Sequence, residues 1–154
     1  MKKLNIYLDM DGTIADLYNY PQWLHLLQQE KTEPYEFCSP IVNMAELSAI
    51  LKLNNVNVNI LSWLSKNGSS TYNRKVRYAK LRWLEKNGLN MHIVKKYIIV
   101  PYGTNKGAYA RNEYDVLFDD ELNNRRNWIS SGGIAYSPKN MLEKLKFLID
   151  IAKL

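Results

Sequence analysis

Apolar runs of strand length alternate with amphipathic runs of helix length along most of this 154-residue chain, and that alternation decides the class of fold. Its periodicity predicts strands over residues 4–8, 56–61, 97–100, 116–118 and 134–136. It predicts helices over residues 44–53, 74–86, 106–111, 123–130 and 139–152. Strands and helices that alternate in this way predict an α/β fold, in which a mostly parallel sheet carries helices on both faces.

Residues 17–40 interrupt this alternation. They hold three of the five prolines, many aromatic residues and one short helical stretch around residues 22–30. We interpret them as an insertion between the first strand and the helix that leads to the second, and a substrate lid and a simple surface excursion both fit. The chain length and the 46% hydrophobic content suit one domain with a core. We therefore predict a single domain over residues 1–154, with a short cap insertion at about 17–40.

Composition restricts the compartment and the partners. The single cysteine, Cys38, excludes an intramolecular disulfide framework and a multi-cysteine zinc site. The sequence has no evident signal peptide and no apolar run of membrane-spanning length, so we expect a cytoplasmic protein without a membrane partner. The net charge of +6 favours phosphorylated substrates or nucleic acid, although solvated helix faces are its more common explanation.

Acidic and hydroxyl side chains follow three of the predicted strands, in the stretches YLDMDGTIAD, NILS and VLFDD. Ligands of open parallel sheets bind outside the carboxyl ends of the strands, which meet at one edge. Three separate strands therefore deliver polar groups to the edge where a site is expected. The residues concerned are Asp9, Asp11, Ser62, Asp119 and Asp120.

Close carboxylates repel one another and raise one another's pKa, so such a group is costly unless a proton or a cation lies between its members. Magnesium takes oxygen ligands from one or two carboxylates and from a substrate phosphate, which fits Asp9 together with Asp119 or Asp120. Lys106, in PYGTNKG, lies just past the third predicted strand at a helix start and can reach the same edge. This combination predicts phosphoryl transfer with Mg²⁺. Calcium storage is less favoured, because no segment resembles a calcium-binding loop.

The stretches DMDGTIAD, ILS, GTNKG and LFDDE resemble, in this order, the four motifs of the haloacid dehalogenase-like (HAD) phosphohydrolase superfamily. The resemblance implies a Rossmann-like α/β/α core of three layers. It also implies that Asp9 is the nucleophile, whose carboxylate attacks phosphorus to give an aspartyl-phosphate. Asp11 would be the general acid for the leaving oxygen and then the base for the hydrolytic water. The dehalogenases of the superfamily lack this second aspartate, so the resemblance favours a phosphatase.

The same resemblance implies how the phosphate is bound. Ser62 and a neighbouring backbone N–H would hold the phosphoryl oxygens, and Lys106 would neutralise charge on the phosphate and on the nucleophile. Trp63, next to Ser62, is a candidate to border the substrate, and a role in the core is equally ordinary. Lys95 and Lys96 precede the third predicted strand and belong to the opposite edge.

The resemblance also implies a set of magnesium ligands. The side chain of Asp9, the backbone carbonyl of Asp11 and one of the two later aspartates would hold the ion. Asp120 is favoured as the direct ligand, with Asp119 behind it. Asn124 falls where the family often has a further polar residue behind the metal.

The substrate is the part of the function that the sequence determines least. Together with DMDGTIADL, the stretches SPIVNMAELSAIL, YAKLRWLEKNGL and IIVPYGTNKGAYA resemble the 5'(3')-deoxyribonucleotidase branch, which implies a nucleoside monophosphate. The insertion is shorter than the helical cap of that branch, which leaves the site open to larger substrates such as a phosphorylated strand end. Its aromatic residues can stack a base or form a small core of the insertion. They are Tyr18, Tyr20, Trp23, Tyr35 and Phe37.

One alternative from a different class remains open. The chain could be a nucleic-acid-binding protein on the same fold, using the basic helices predicted over 74–86 and 139–153, with the site idle or acting on strand ends. The simultaneous presence of Asp9, Asp11, Ser62, Lys106 and Asp120 argues for an enzyme, since a binding protein would not need all five. The preferred base and sugar and the oligomeric state are open.

Overall fold

Five parallel strands form one sheet in the computed structural model, which describes residues 3–53 and 56–153. The strands lie in the order β3-β2-β1-β4-β5, so β1 is central and β3 and β5 are the edges. Their bounds are β1 (Asn5–Leu8), β2 (Asn57–Trp63), β3 (Val94–Val100), β4 (Asp115–Phe118) and β5 (Ile134–Tyr136). The predicted α/β fold with a parallel sheet is confirmed.

Helices cover both faces of the sheet and complete three layers. They are α1 (Trp23–Gln28), α2 (Glu33–Phe37), α3 (Met44–Leu53), α4 (Ser70–Lys86), α5 (Leu122–Ser130) and α6 (Met141–Ala152), with 3₁₀ turns at Leu17–Asn19 and Lys106–Tyr109. Among the described residues, none of these helices has both the length and the apolar character needed to cross a bilayer.

The period-two alternation along β1 divides the core between the two faces. Ile6 and Leu8 point to one face, where they belong to a large apolar cluster built with α3, α4 and α6. Tyr7 points to the other face and packs edge-on against Trp128 of α5, with 4.8 Å between the ring centroids. The sheet is therefore buried between two helical layers at its centre, and its strand ends converge at one edge.

Two strands are longer than predicted. β2 continues to Trp63, so Ser62 lies inside the strand and does not follow it. β3 begins at Val94, so Lys95 and Lys96 lie inside it and do not precede it. The prediction stopped at the polar residues. The edge strand β3 tolerates its lysines because they are exposed to solvent, whereas Ser62 of the interior strand β2 is buried and accepts a hydrogen bond from Lys80.

Two helical predictions also needed correction. The helix predicted over 106–111 is only the 3₁₀ turn Lys106–Tyr109, because Asn105 accepts a hydrogen bond from the N–H of Gly107 and the chain then leaves the turn at Ala110. Helix α4 begins four residues earlier than predicted, at Ser70, because Ser69 caps it by accepting from the N–H of Tyr72.

Asn57, the first residue of β2, belongs to a polar ladder across the sheet. The Asn57 side-chain amide donates to Asn5 over 2.8 Å, and that of Asn5 donates to the buried carboxylate of Asp115 over 2.7 Å. The other carboxylate oxygen of Asp115 accepts from the N–H of Arg111. The ladder satisfies polar groups at the first residues of β1, β2 and β4, including the buried carboxylate of Asp115.

Residues 17–40, which we call the cap segment, pack on helix α4. Leu17 and Tyr35 form a small apolar cluster with the α4 residues Tyr72, Val76 and Ala79. The prediction of one domain with a cap insertion at about 17–40 stays a prediction, and its limits at residues 1, 2 and 154 lie outside the described part.

Two polar contacts reinforce the attachment of the cap segment. The Glu30 carboxylate accepts from the N–H and the hydroxyl of Ser69 over 2.8 and 2.9 Å. The Tyr72 hydroxyl donates to the carbonyl of Lys31 over 2.6 Å. The cap segment is therefore joined to α4 by apolar packing and by hydrogen bonds at the amino-terminal end of that helix.

Candidate active site

The residues that follow the carboxyl end of β1 form a tight turn, and Asp9 lies at the start of it. The N–H groups of Thr13, Ile14 and Ala15 all converge on the carbonyl of Met10 at 2.9–3.0 Å. This turn brings the Thr13 hydroxyl back to the carboxylate of Asp9, to which it donates over 2.9 Å. Asp9 is nearly buried, so its position is fixed by the strand before it and by the turn after it.

Gly12 is required in this turn for two reasons. Its φ of 77° lies in the left-handed region, which side chains other than glycine rarely adopt. A Cβ at this position would also overlap the carboxylate of Asp120 and crowd the ring of Tyr18. The glycine therefore allows an acid from another strand to approach the turn closely.

Lys106 joins two of the predicted acids. Its ammonium group donates to Asp9 over 2.8 Å and to Asp119 over 2.7 Å, and it is fully buried. Burial alone would lower the pKa of Lys106, but the carboxylates of Asp9 and Asp119 outweigh that effect and raise it. The lysine therefore remains a cation beside Asp9.

The two aspartates after β4 have different surroundings. Asp119 is fully buried, and its carboxylate accepts from Lys106, from the N–H of Glu121 and from the Asn124 amide. The carboxylate of Asp120 is partly exposed and hydrogen bonds to Thr13 over 3.3 Å. This difference supports Asp120 as the residue with free oxygens and Asp119 as the residue behind it.

The acidic cluster of Asp9, Asp119 and Asp120 has more negative charge than the neighbouring cations neutralise. Burial, together with the charge of Asp9, raises the pKa of Asp119 to about 6 and that of Asp120 to about 8. Oxygen atoms of Asp9, Asp119 and Asp120 lie within 4.8 Å of one another. Hard oxygen ligands at this spacing, with the pKa of Asp119 and of Asp120 raised by burial and by nearby carboxylates, suit a divalent cation such as Mg²⁺. The donor set thus fits the predicted ion.

Asp11 lies outside this group of carboxylates and is paired with a lysine from helix α4. The ammonium of Lys80 donates to Asp11 over 2.7 Å, to the Ser62 hydroxyl over 2.9 Å and to the Trp63 carbonyl over 2.7 Å. Burial raises the pKa of Asp11, and Lys80 acts in the opposite direction. Lys80 therefore connects Asp11, which follows β1, to Ser62 and Trp63 of β2.

The predicted phosphate ligands occupy different environments. Ser62 is fully buried beside Lys80, while Trp63 lines the cleft above the acids. The Trp63 indole N–H donates to the carbonyl of Thr104, and the Lys106 ammonium lies 5.3 Å from its ring centroid. The structure brings these side chains to the carboxyl edge of the sheet, and their binding of phosphate stays a prediction.

A cleft of about 1080 Å³ opens above the acids between the cap segment and the ends of β2 and β3. Two aromatic pairs stand in it. Tyr18 and Trp23 of the cap segment lie 5.0 Å apart between ring centroids, and Trp63 and Tyr102 lie 4.9 Å apart. The lining therefore combines carboxylates and lysine at the base with aromatic surfaces at the sides.

Lys80 is the residue that sequence reasoning missed. It was counted only as part of a basic helix, although it lies on the same face as the buried residues Tyr72, Val76, Ala79 and Trp83. A lysine at a buried position of a helix needs an acidic or polar partner. That position within the apolar stripe was the signal that could have identified it.

Replacing Lys80 by methionine is expected to destabilise the protein by about 3 kcal/mol, because the largely buried carboxylate of Asp11 then loses its cation. Equilibrium urea unfolding measures the change. Lys86→Met is the matched control, since Lys86 is exposed in the last turn of the same helix. Equal stabilities for the two variants would contradict the assignment of Lys80.

Comparison with known proteins adds evidence about the fold. No protein-family model and no curated protein matches the sequence. A HAD-superfamily hydrolase from Ehrlichia chaffeensis aligns with a TM-score of 0.57 at 15% identity, covering 97% of this chain and 99% of that one. An uncharacterized protein from Corynebacterium glutamicum aligns with a TM-score of 0.47 at 19% identity, covering 88% and 85% of the two chains. The chain thus has the α/β fold of a HAD-superfamily hydrolase, with acids and a lysine at the carboxyl edge of its sheet.

Proposed function

We propose that the chain is a HAD-superfamily phosphatase that hydrolyses phosphomonoesters with Mg²⁺ through an aspartyl-phosphate on Asp9. The observation that carries the proposal is the environment of Asp9. One of its carboxylate oxygens accepts from the ammonium of Lys106 and the other from the hydroxyl of Thr13. A carboxylate fixed in this way at the base of a cleft is oriented for attack on a substrate in that cleft.

In the first step, the Asp9 carboxylate forms a bond to phosphorus while the bond to the leaving oxygen breaks. Asp11 gives its proton to that oxygen, which leaves as an alcohol. In the second step, Asp11 takes a proton from water, the water oxygen attacks phosphorus, and the Asp9 carboxylate is released with inorganic phosphate. Burial of Asp11 favours the protonated state that the first step needs and raises its pKa, while the contact with Lys80 acts in the opposite direction.

Lys106 would bind the phosphoryl oxygens by charge. Ser62 is fully buried and is not among the residues that line the cleft, so its hydroxyl would instead hold Lys80 by accepting its hydrogen bond. Asp9, the Asp11 carbonyl and Asp120 would hold Mg²⁺, with Asp119 behind them. When bound, the ion supplies positive charge against the phosphoryl oxygens. The Asp119 carboxylate keeps Lys106 in place through a 2.7 Å contact, and Asn124 in turn holds Asp119.

Nucleoside monophosphates are the proposed substrates. The resemblance of the motifs to the 5'(3')-deoxyribonucleotidase branch supports this choice, and so do the aromatic side chains in the cleft. A base that stacks on an aromatic ring gains roughly 1–3 kcal/mol. Trp63 and Tyr102 on one side, and Tyr18 and Trp23 on the other, offer such surfaces at the walls of the cleft.

A second candidate is a phosphatase for the phosphorylated end of a nucleic acid strand. The observation that favours it is the size of the cleft, about 1080 Å³, which is at the upper end of volumes typical of small-molecule sites. Lys66, at the rim, lies over the ring of Tyr102 and would meet the next phosphate of a strand.

Phosphate release from a panel of 5'- and 3'-deoxyribonucleoside and ribonucleoside monophosphates tests the function. We expect release in Mg²⁺ and none in chelator, with the ranking of the panel giving base and sugar preference. The absence of release from every monophosphate by folded protein in Mg²⁺ would contradict the nucleotidase proposal. End-phosphorylated oligonucleotides, measured in parallel, separate the two candidates.

A further inference from the structure

A second, smaller cavity lies at the amino-terminal edge of the sheet, opposite the acids. It has a volume of about 200 Å³ and lies where strands β1, β2 and β3 begin. Its cationic side chains are those of Lys95, Lys96 and Arg111, all of them exposed. None of these groups takes part in the proposed phosphatase chemistry.

A β-bulge directs both lysines toward this cavity. Val58 pairs with Val94, and the next residue of β2, Asn59, pairs with Lys96, so that Lys95 is the extra residue. Successive residues of a regular strand point to opposite faces, but a bulge re-aims one of them. Lys95 and Lys96 therefore both line the cavity, which regular pairing would not allow.

The floor of the cavity contains an amide that the polar ladder does not use. The ladder runs from Asn57 through Asn5 to Asp115, and Asn59 takes no part in it. Asn59 is only 4% exposed, and its amide has no side-chain hydrogen bond to another residue in the part of the chain that the structure describes. Among the described residues no buried side-chain nitrogen or oxygen lacks a partner, so the Asn59 amide is accessible from the cavity, where a ligand can bond it in place of water.

The charge of the cavity selects the kind of ligand. Three cations face one carboxylate, that of Asp115, whose oxygens already accept from Asn5 and from the N–H of Arg111. The remaining lining groups, Tyr7 and the asparagines, are neutral. The net charge of the lining residues is positive and the cavity volume is small. These properties match a compact anion with several acceptor oxygens.

We propose that this cavity binds a tetrahedral oxyanion of the phosphate type. Lys95, Lys96 and Arg111 neutralise its charge, and the Asn59 amide donates a hydrogen bond from the floor. The site is separate from the phosphatase site and does not depend on its activity. Lysines and a bulge on an edge strand also discourage pairing with another chain. Protection of the edge strand explains the lysines of β3, but it does not require Arg111 or a buried amide.

The test is a titration of the ¹⁵N-labelled full chain with inorganic phosphate in chelator, at constant ionic strength, with chloride as the reference anion. We expect saturable NMR shifts of the Asn59 side-chain amide and of the backbone amides of residues 94–96. Lys96→Gln should weaken binding by roughly tenfold. Lys75→Gln, which removes the same charge from an exposed position on α4, should leave the affinity unchanged.

Asn59→Leu separates binding from folding. Leucine has the same branched skeleton of heavy atoms as asparagine, so we expect an unchanged or higher melting temperature together with lost phosphate shifts at residues 94–96. Shifts confined to the catalytic edge, or shifts that Lys75→Gln reduces as much as Lys96→Gln, would overturn the proposal and leave edge protection as the role of the lysines.

A second arm identifies the source of the oxyanion. A short single-stranded DNA without terminal phosphates is titrated in the same way. If it produces the same shifts at lower concentration than phosphate does, the ligand is a phosphodiester of a nucleic acid strand. If it produces them only at higher concentration, the ligand is the free oxyanion.

Discussion

Replacing Asp9 by asparagine is expected to reduce the Mg²⁺-dependent hydrolysis of p-nitrophenyl phosphate by roughly 10³-fold or more. The amide oxygen can still accept from Thr13, so the turn that follows β1 keeps its geometry. A neutral amide, however, cannot form the aspartyl-phosphate, and Lys106 loses one of its two carboxylate partners. Steady-state release of inorganic phosphate measures the effect.

Asp150→Asn is the matched control for this experiment. Asp150 lies exposed near the end of α6, so the same chemical change there should leave the rate within a factor of about two. Retention of most of the activity by Asp9→Asn would mean that another group attacks phosphorus, and it would remove the aspartyl-phosphate from the proposal.

Magnesium is expected to raise the melting temperature of the protein by several degrees at about pH 8, and by much less at about pH 5. Burial and the charge of Asp9 raise the pKa of Asp120 from its ordinary value to about 8 in the folded protein. The folded state therefore binds this proton more tightly than the unfolded state does. Stability without metal must then fall as the pH rises through that interval, and a cation that takes the place of the proton restores it.

Asp120→Asn is the variant that tests this linkage. In chelator it should lose less stability than the wild type between about pH 5 and about pH 8, because the titrating carboxylate is gone. It should also lose most of the stabilisation by Mg²⁺. Differential scanning calorimetry at both pH values, with and without Mg²⁺, gives the four melting temperatures. A variant that Mg²⁺ stabilises as much as the wild type would exclude Asp120 as a metal ligand.

The common edge of the sheet was predictable because a simple rule governs it. Parallel strands end on the same side, so Asp9 after β1 and Asp119 after β4 had to become neighbours once both strands were recognised. The position of the helical turn at Lys106 could be predicted from the sequence. Its length as a single 3₁₀ turn could not, because that depends on packing against α5.

The contacts of Asp11 and Ser62 could not be predicted in the same way. Their shared partner, Lys80, comes from a helix, and only the tertiary packing of α4 on the sheet decides which of its basic residues points inward. The polar ladder and the bulge in β3 depend on register between strands, which the sequence of one strand does not contain.

Helix α4 links two parts of the molecule that are far apart in sequence. One end of it holds the cap segment, through Ser69 and Tyr72, and its middle holds Asp11, through Lys80. For protein engineering, the unit to exchange between two such proteins is therefore residues 17–40 together with Ser70–Lys86, not residues 17–40 alone. A chimera that transplants only the cap segment would pair a foreign surface with this helix and so disturb Asp11.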